Sequence, residues 1–263
     1  MREVRALLLA AGLGTRLRPL TDHWPKCLMP IEDRPLLEYW LETLWHCGIR
    51  EVLVNLHYLP TVVQDFLDRP RFQGWVHSVV ETELLGTAGT LRANADYFRG
   101  CTVLMVHADN WCQCQFRDFL EFHQQERPES TSMTMMTFDT DSPQSCGIVE
   151  TDVQGVVQSF HEKIANPPGT RANAAVYLLE PKILQWIEQH SEISDFSTQV
   201  LPYFIGQIAT WHNAEIHRDI GTLENLRQAQ VDQKPEAVWR KTDVWQQWFL
   251  QHPIHQQLRA DVT

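Results

Sequence analysis

Residues 4–30 read VRALLLAAGLGTRLRPLTDHWPKCLMP. An apolar run from Val4 breaks at Ala10 and Ala11 into a turn holding Gly12, Gly14 and Thr15, and the turn carries Arg16, with Lys26 a short way on. A buried strand followed by a glycine-rich turn is how α/β proteins bring backbone amides up to phosphates, because glycine lacks the side chain that would block the approach. Two common phosphate loops are excluded here. The dinucleotide fingerprint GxGxxG needs a third glycine where Leu17 stands, and GxxxxGK[ST] finds no match. What remains is a loop with its own cations: Arg16 can fork onto phosphate oxygens, and Lys26 can add a point charge. A GxG turn alone would be an ordinary connection, whereas the complete segment reads as an anion site.

Outward from the loop, PLLEYWLETLWHCGI places Leu37, Trp40, Leu41, Leu44 and Trp45 at helical spacing, with Gly48 where a helix cap belongs. EVLVNL, VHSVVET and TVLMVHADN read as strands, and TVVQDFLD and AGTLRANADYF as the helices between them. This βαβ succession implies an α/β, Rossmann-like fold of three layers, with a mostly parallel mixed sheet flanked by helices. From 131 to 160 the pattern changes to short strands divided by turn residues, which predicts a sheet extension or mixed subregion. NAAVYLL then reads as a strand, PKILQWIEQH as a helix, and 220–230 as a last helix. From Asp232 a tail contains Trp239, Trp245, Trp248 and Phe249, the last three at i, i+3, i+4 spacing. It is expected to be a helix packed on the body or in a homodimer.

The composition narrows the function. A chain of 263 residues can bury a sizeable core, and 43% hydrophobic with 21% charged residues is that of a soluble globular protein. No apolar stretch approaches the roughly 20 residues of a membrane helix, and the first run ends in a glycine loop rather than a leader cleavage site. A net charge of −11 argues against nucleic acid as a partner, so phosphate must be met by a local cluster of cations. Six cysteines without a regular framework suit a reducing cytoplasm, and the CQC at 112–114 lacks the second ligand pair of a zinc site.

Five ordered segments carry a resemblance. GLGTRLRPLTDHWPKCLMP (12–30) resembles the signature of the sugar-1-phosphate nucleotidylyltransferases, or nucleotide-sugar pyrophosphorylases. LLGTAGTL (84–91) resembles that family's base-recognition loop, and MVHADN (105–110) the strand ending in a metal-binding aspartate. FHEKIANPPGTRANAAVYLL (160–179) resembles its EKP and NAG segments, and RDIGTLENLRQA (218–229) its DIGTPEN segment. The resemblance implies a nucleotide-diphospho-sugar transferase type of fold, with the catalytic domain over 1–231 and the helical tail over 232–263. It implies attack by a sugar 1-phosphate oxygen on the α-phosphorus of a nucleoside triphosphate, with pyrophosphate leaving. Because two polyanions must meet, cations and a metal ion are expected to dominate catalysis.

By the same resemblance Asp109 and Asp219 would hold Mg²⁺, and Arg16 and Lys26 would act on the reacting phosphates. Ala10, Ala11, Gly12, Gly14, Thr15 and Arg16 would bind the nucleotide, with Glu83 and the loop Gly86, Thr87, Ala88 and Gly89 at its base. Asp109, Gly147, Glu162, Lys163 and Asn173 would bind the sugar phosphate, the backbone at Gly147 letting the ring approach closely. No general base is needed, since the attacking phosphate is already ionised, and neither His57 nor His107 is given a chemical role. Ala175 departs from the glycine of NAG and is expected to narrow the sugar pocket. The GTAG form resembles mannose-1-phosphate and heptose-1-phosphate guanylyltransferases, and the donor edge of guanine could be met by Glu81 or Glu83. Uridylyl transfer to a sugar 1-phosphate, cytidylyl transfer to phosphocholine and a non-catalytic nucleotide-sugar sensor are the alternatives. No regulatory repeat domain is expected after the tail.

Overall fold

The computed structural model describes residues 2–239 and 242–260. Its strands are β1 (Val4–Leu9), β2 (Pro30–Ile31), β3 (Arg34–Pro35), β4 (Val52–Leu56), β5 (Val76–Val80), β6 (Thr102–His107) and β7 (Asn110–Gln113). They continue with β8 (Met133–Asp139), β9 (Gly147–Thr151), β10 (Val157–Glu162), β11 (Arg171–Leu179), β12 (Ile208–His212) and β13 (Ile216–Asp219). The helices are α1 (Leu36–His46), α2 (Pro60–Leu67), α3 (Thr87–Ala93), α4 (Ala95–Phe98) and α5 (Phe116–Glu121). After them come α6 (Pro181–Gln189), α7 (Leu223–Val231), α8 (Val244–Leu250) and α9 (Ile254–Ala260).

The main sheet has the strand order β10-β9-β11-β6-β1-β4-β5, with β8 on β11 and β12 on β8. β4 and β5 are parallel, as are β8 and β12, while β11 is antiparallel to β6, β8 and β9, and β9 to β10. The sheet is therefore mixed: β8 and β9, from the stretch whose sequence pattern changes, pair antiparallel with β11, and β10 pairs antiparallel with β9. No helix of the described residues is long and apolar enough to cross a membrane.

Contacts divide the chain into two compact units. One consists of Met1–Leu7, Leu84–Val106 and Gln113–His217. Its interior is built on β11, whose pairing with β8 shifts register between Asn173 and Tyr177. Ala175 lies in that bulge at φ 54°, held by its amide donating to the Asn173 Oδ1 at 3.0 Å. Here too is the buried His123, which follows α5 in a wide turn and contacts the Thr134 Oγ1 at 2.8 Å and Glu180 Oε1 at 3.2 Å. Burial is the main cause that lowers His123 to about 4, with the Arg127 charge adding to it.

The other unit consists of Leu8–Glu83, His107–Cys112 and Arg218–Thr263. α1 buries Leu37, Trp40, Leu41 and Leu44 of the face the helical spacing predicts, with Leu36 beside them, while Trp45 is half-buried. It also buries two carboxylates. Glu42 accepts from Arg34 at 2.6 Å, and Glu38 accepts from Arg69 at 2.6 Å and Arg71 at 2.9 Å. Asp243 closes the second set with Arg69 at 2.8 Å. The aromatic tail packs within this unit: the Trp24 ring lies 5.8 Å from Phe249 and 4.2 Å from His252, and Trp239 sits 5.4 Å from Phe72. Trp239 precedes α8 instead of joining it; positions 240, 241 and 261–263 of the expected tail lie outside the described residues.

Candidate active site

β1 delivers the chain to Ala10 and Ala11, both buried, and Ala10 donates its amide to Asn55 Oδ1 at 2.8 Å. At Gly12 an added Cβ would meet nothing within 4 Å, so the backbone there is open to a ligand. Gly14 is needed for a different reason. Its φ is 63°, and a Cβ would lie 2.9 Å from the Thr21 methyl and 3.2 Å from Lys26 Cβ. Thr21 Oγ1 donates to the Gly14 carbonyl at 2.8 Å, tying the loop to the segment that carries Lys26. A single turn, Thr15–Leu17, buries Leu17 and turns Arg16 outward, its side chain 63% exposed.

Lys26 opens a short turn, Lys26–Leu28, which Trp24 locks by donating its indole N–H to the Leu28 carbonyl at 2.8 Å. The lysine is only 5% exposed. Its Nζ donates to Asp109 Oδ2 and to Asp219 Oδ1, each at 2.6 Å, and Arg16 Nη2 donates to Asp219 Oδ2 at 2.7 Å. Asp109 follows β6 and its carbonyl accepts the Ile220 amide at 3.3 Å; Asp219 ends β13. Four residues distant in sequence thus form one cluster of two cations and two carboxylates. Burial acts to raise the Asp219 carboxyl, but the charges and hydrogen bonds of Lys26 and Arg16 outweigh it and hold Asp219 at about 2.

Gly221 belongs to this cluster, although the sequence reading gave it only the start of a helix. Its amide donates to Asp219 Oδ1 at 2.8 Å, and a Cβ there would lie 2.5 Å from Arg16 Nη2. Thr222 accepts the Asn225 amide at 3.2 Å and caps α7, so the helix start and the site geometry are fixed by adjacent residues.

The donor set suits Mg²⁺. Among the described residues no group of three or more His, Cys, Asp or Glu gathers as a metal cage. Mg²⁺ does not need one: it is bound by one or two carboxylates together with substrate phosphates and water. Asp109 and Asp219 aim hard oxygen donors at one point, and Lys26 Nζ marks it as a place where positive charge is stabilised.

The remaining predicted residues fall into separate groups. Glu81 is buried, with its Oε1 accepting from Asn55 Nδ2 at 3.0 Å, whereas Glu83 is exposed. In the GTAG loop the amides of Ala88 and Gly89 both donate to the Ser194 carbonyl, at 2.8 and 3.2 Å, and Thr87 Oγ1 accepts the Phe196 amide at 2.7 Å. Gly86, at φ 77°, would put a Cβ 2.5 Å from the Ser194 carbonyl oxygen. This motif therefore serves a loop-to-loop clasp, and those two amides are spent within it.

Gly147 lies at the start of β9. It pairs with Glu162 across β9 and β10, and its missing Cβ leaves room for the Phe160 ring at 2.6 Å and Glu162 Oε2 at 2.7 Å. Lys163 directly follows β10 at φ 49°, its amide donating to the Cys146 carbonyl at 3.1 Å and its Nζ 3.3 Å from Glu162 Oε1. Asn173 spends Nδ2 on the Tyr177 hydroxyl at 2.6 Å and shares Oδ1 with Ala175, so it shapes the β11 bulge.

An α/β fold whose first strand ends in a glycine loop, with loop cations held against strand-end carboxylates, defines a nucleotide-binding, phosphate-handling class. The nucleotidyl transferase family model matches residues 5–235, and the chain belongs to that family. It is 30% identical over 235 residues to the mannose-1-phosphate guanylyltransferase of Mycobacterium tuberculosis, covering 88% of this chain and 64% of that protein. It is 33% identical over 191 residues to mannose-1-phosphate guanylyltransferase 1 of Arabidopsis thaliana, covering 70% of this chain and 52% of that protein. The chain thus spans about half to two thirds of the length of these curated relatives. A crystal structure of a candidate glucose-1-phosphate thymidylyltransferase from Bacillus anthracis, in complex with a sucrose, shares the fold. Its TM-score is 0.77 at 21% identity, over 86% of this chain and 94% of that one.

Proposed function

We propose that this chain transfers the guanylyl group of GTP to a mannose- or heptose-type 1-phosphate, forming a nucleotide sugar and releasing pyrophosphate. The observation that carries the reading is the cluster in which Lys26 bridges Asp109 and Asp219 while Arg16 faces Asp219 from the glycine loop. A phosphate oxygen of the sugar 1-phosphate attacks the α-phosphorus, and the bond from that phosphorus to the pyrophosphate oxygen breaks. The attacking group is already anionic, so the protein's task is to neutralise charge rather than remove a proton. Arg16, exposed on the loop, binds the leaving pyrophosphate together with the amides from Gly12 to Thr15. Lys26, buried and rigidly held, directs its charge to the reacting phosphate. Asp109 and Asp219 would hold Mg²⁺, which when bound supplies further neutralisation of phosphate charge. On the sugar side, Lys163 meets the incoming phosphate and Glu162 accepts from sugar hydroxyls.

Guanine is supported by the names of the curated relatives and by the buried acceptor Glu81, which is joined to the Ala10 amide through Asn55. The deciding experiment is pyrophosphate release with Mg²⁺, crossing GTP, UTP, dTTP, CTP and ATP against mannose, glucose, galactose, N-acetylglucosamine and heptose 1-phosphates. Turnover confined to GTP with a mannose or heptose 1-phosphate is expected. Turnover with another nucleotide replaces the guanylyl assignment, and silence across the grid with nucleotide binding retained favours a sensor. Asp109→Asn and Asp219→Asn should each abolish turnover in a folded protein; a fully active double variant removes the two-carboxylate metal site.

A further inference from the structure

The turn that carries Lys26 is too short to hold itself. Two backbone bonds close it, from Leu28 to the Pro25 carbonyl and from Met29 to the Lys26 carbonyl, each at 3.0 Å. A single turn of this kind has poor hydrogen-bond geometry and no helical cooperativity to keep it in shape. The Leu28 carbonyl at its end accepts the Trp24 indole N–H at 2.8 Å, so the turn is only as well placed as that ring.

Trp24 is 2% exposed, and the C-terminal tail sets three rings against it. Phe249 stacks at 5.8 Å, Trp248 lies at 5.9 Å, and His252 comes closest at 4.2 Å. His252 is itself pinned: its amide donates to the Phe249 carbonyl at 2.9 Å, and its Nδ1 accepts the Ile254 amide at 3.2 Å. These rings, at 248, 249 and 252, lie beyond residues 5–235, outside what the chain shares with the family model.

We infer that Trp24 is a positioning residue for Lys26, and that the tail keeps it in that role through the His252 ring. This rests on the reading above, in which Lys26 directs its charge to the reacting phosphate. Lys26 Nζ donates to Asp109 Oδ2 and Asp219 Oδ1 at 2.6 Å each, and one ammonium keeps both bonds only from a narrow range of positions. A small shift of the turn is therefore felt at both carboxylates and at the phosphate beside them. Trp24 is buried and acts on the reaction only through the turn.

Position and stability are separated by four substitutions. Trp24→Phe keeps a ring against the tail and loses the indole N–H. His252→Ala removes the closest ring, whereas His252→Phe keeps a ring there and removes the acceptor of the Ile254 amide. Phe72→Leu is the control, because that buried ring packs on Phe66, Trp75 and Trp239 instead of Trp24. Single-turnover rates would be measured with Mg²⁺, using the substrate pair found active above, at a temperature where every variant is folded. KM for both substrates and thermal midpoints complete the set.

Trp24→Phe and His252→Ala should lower the rate about tenfold or more, with KM little changed. His252→Phe and Phe72→Leu should lower the midpoint and keep the wild-type rate. In a Lys26→Ala background, Trp24→Phe should slow the reaction no further, since the lysine it positions is gone. Rates that follow the midpoint across all four variants mark packing alone and overturn the inference, as does a full further loss in the Lys26→Ala background. If another variant fails to fold, or Lys26→Ala leaves no rate to follow, Trp24→Phe decides, and a wild-type rate there overturns the inference. A wild-type rate in Lys26→Ala, or no turnover with any pair, overturns the reading of Lys26 and this inference together. A slow Lys26→Ala beside wild-type rates in Trp24→Phe and His252→Ala overturns the inference alone.

Discussion

Lys163→Gly should make the protein more stable and a poorer user of the sugar phosphate. Lys163 sits at φ 49°, in the left-handed region, where its amide donates to the Cys146 carbonyl at 3.1 Å and fixes how β10 ends. A residue with a Cβ held there costs about 1–2 kcal/mol, while glycine adds about 0.5–1 kcal/mol of unfolded-chain entropy. The difference leaves a gain of about 0.5–1 kcal/mol, or roughly 1–4 °C in thermal midpoint for a chain of this size. The Lys163–Glu162 contact hardly enters, since the lysine side chain is 64% exposed and a surface pair is worth about 0–1 kcal/mol. Lys163→Ala is the control that loses the same charge and keeps the strained backbone. Melting curves of the two variants isolate the backbone effect, and steady-state kinetics isolate the charge. Equal midpoints for the glycine and alanine variants would refute the strain argument. An unchanged KM for the sugar 1-phosphate in both variants would refute the placing of Lys163 on the incoming phosphate. Strain kept at a residue that could relieve it as glycine is what a site under functional constraint looks like.

Ala175→Gly should stabilise by a similar roughly 0.5–1 kcal/mol, because Ala175 holds φ 54° in the β11 bulge; a lower melting midpoint would contradict this. Glu38→Gln should destabilise by about 3–5 kcal/mol, since it removes the buried carboxylate charge that Arg69 and Arg71 share, as urea denaturation would report. Gly221→Ala should leave the melting midpoint nearly unchanged but lower kcat about tenfold or more, because its Cβ would crowd the exposed Arg16 head group and Asp219 Oδ1 rather than packed core; wild-type kcat would exclude this arrangement of Arg16 and Asp219 from the reaction. His123 is neutral in the fold and lowered to about 4 mainly by burial, so the unfolded chain binds its proton first as the pH falls. Stability from this residue is complete above pH 6.5 and lost between 6.5 and about 4, by at most about 3 kcal/mol. His123→Gln should flatten the stability profile in that window.

What the sequence made legible follows how local each signal is. The strand, glycine loop and α1 can be read because their determinants lie within a few residues: an apolar run, Gly14 at its turn, and Leu36 through Leu44 on one helix face. Asp109 and Asp219 are recognisable only through the resemblance, since nothing near either residue announces that both will meet Lys26. β12 escapes a local reading because its five residues owe their place to parallel pairing with β8, far away in sequence. α5 left a fainter trace, Phe116, Phe119 and Leu120 at helical spacing, which is a single turn of pattern.

The glycines show the limit most clearly. Their positions were visible, but the same residue type serves four different neighbours: open space at Gly12, Thr21 and Lys26 at Gly14, the Ser194 carbonyl at Gly86, and the Arg16 head group at Gly221. A missing side chain says that something comes close, and only the fold says what. Asn55 is the complementary case. A polar residue inside EVLVNL is an anomaly that can be seen from sequence, since a buried carboxamide costs stability unless both ends are bonded. Its partners, Ala10 and Glu81, come from segments on either side that only the sheet brings together. The motifs thus mark the loop and the two carboxylates, whereas the tie from β4 to the start of the loop is made by a polar side chain that belongs to none of them.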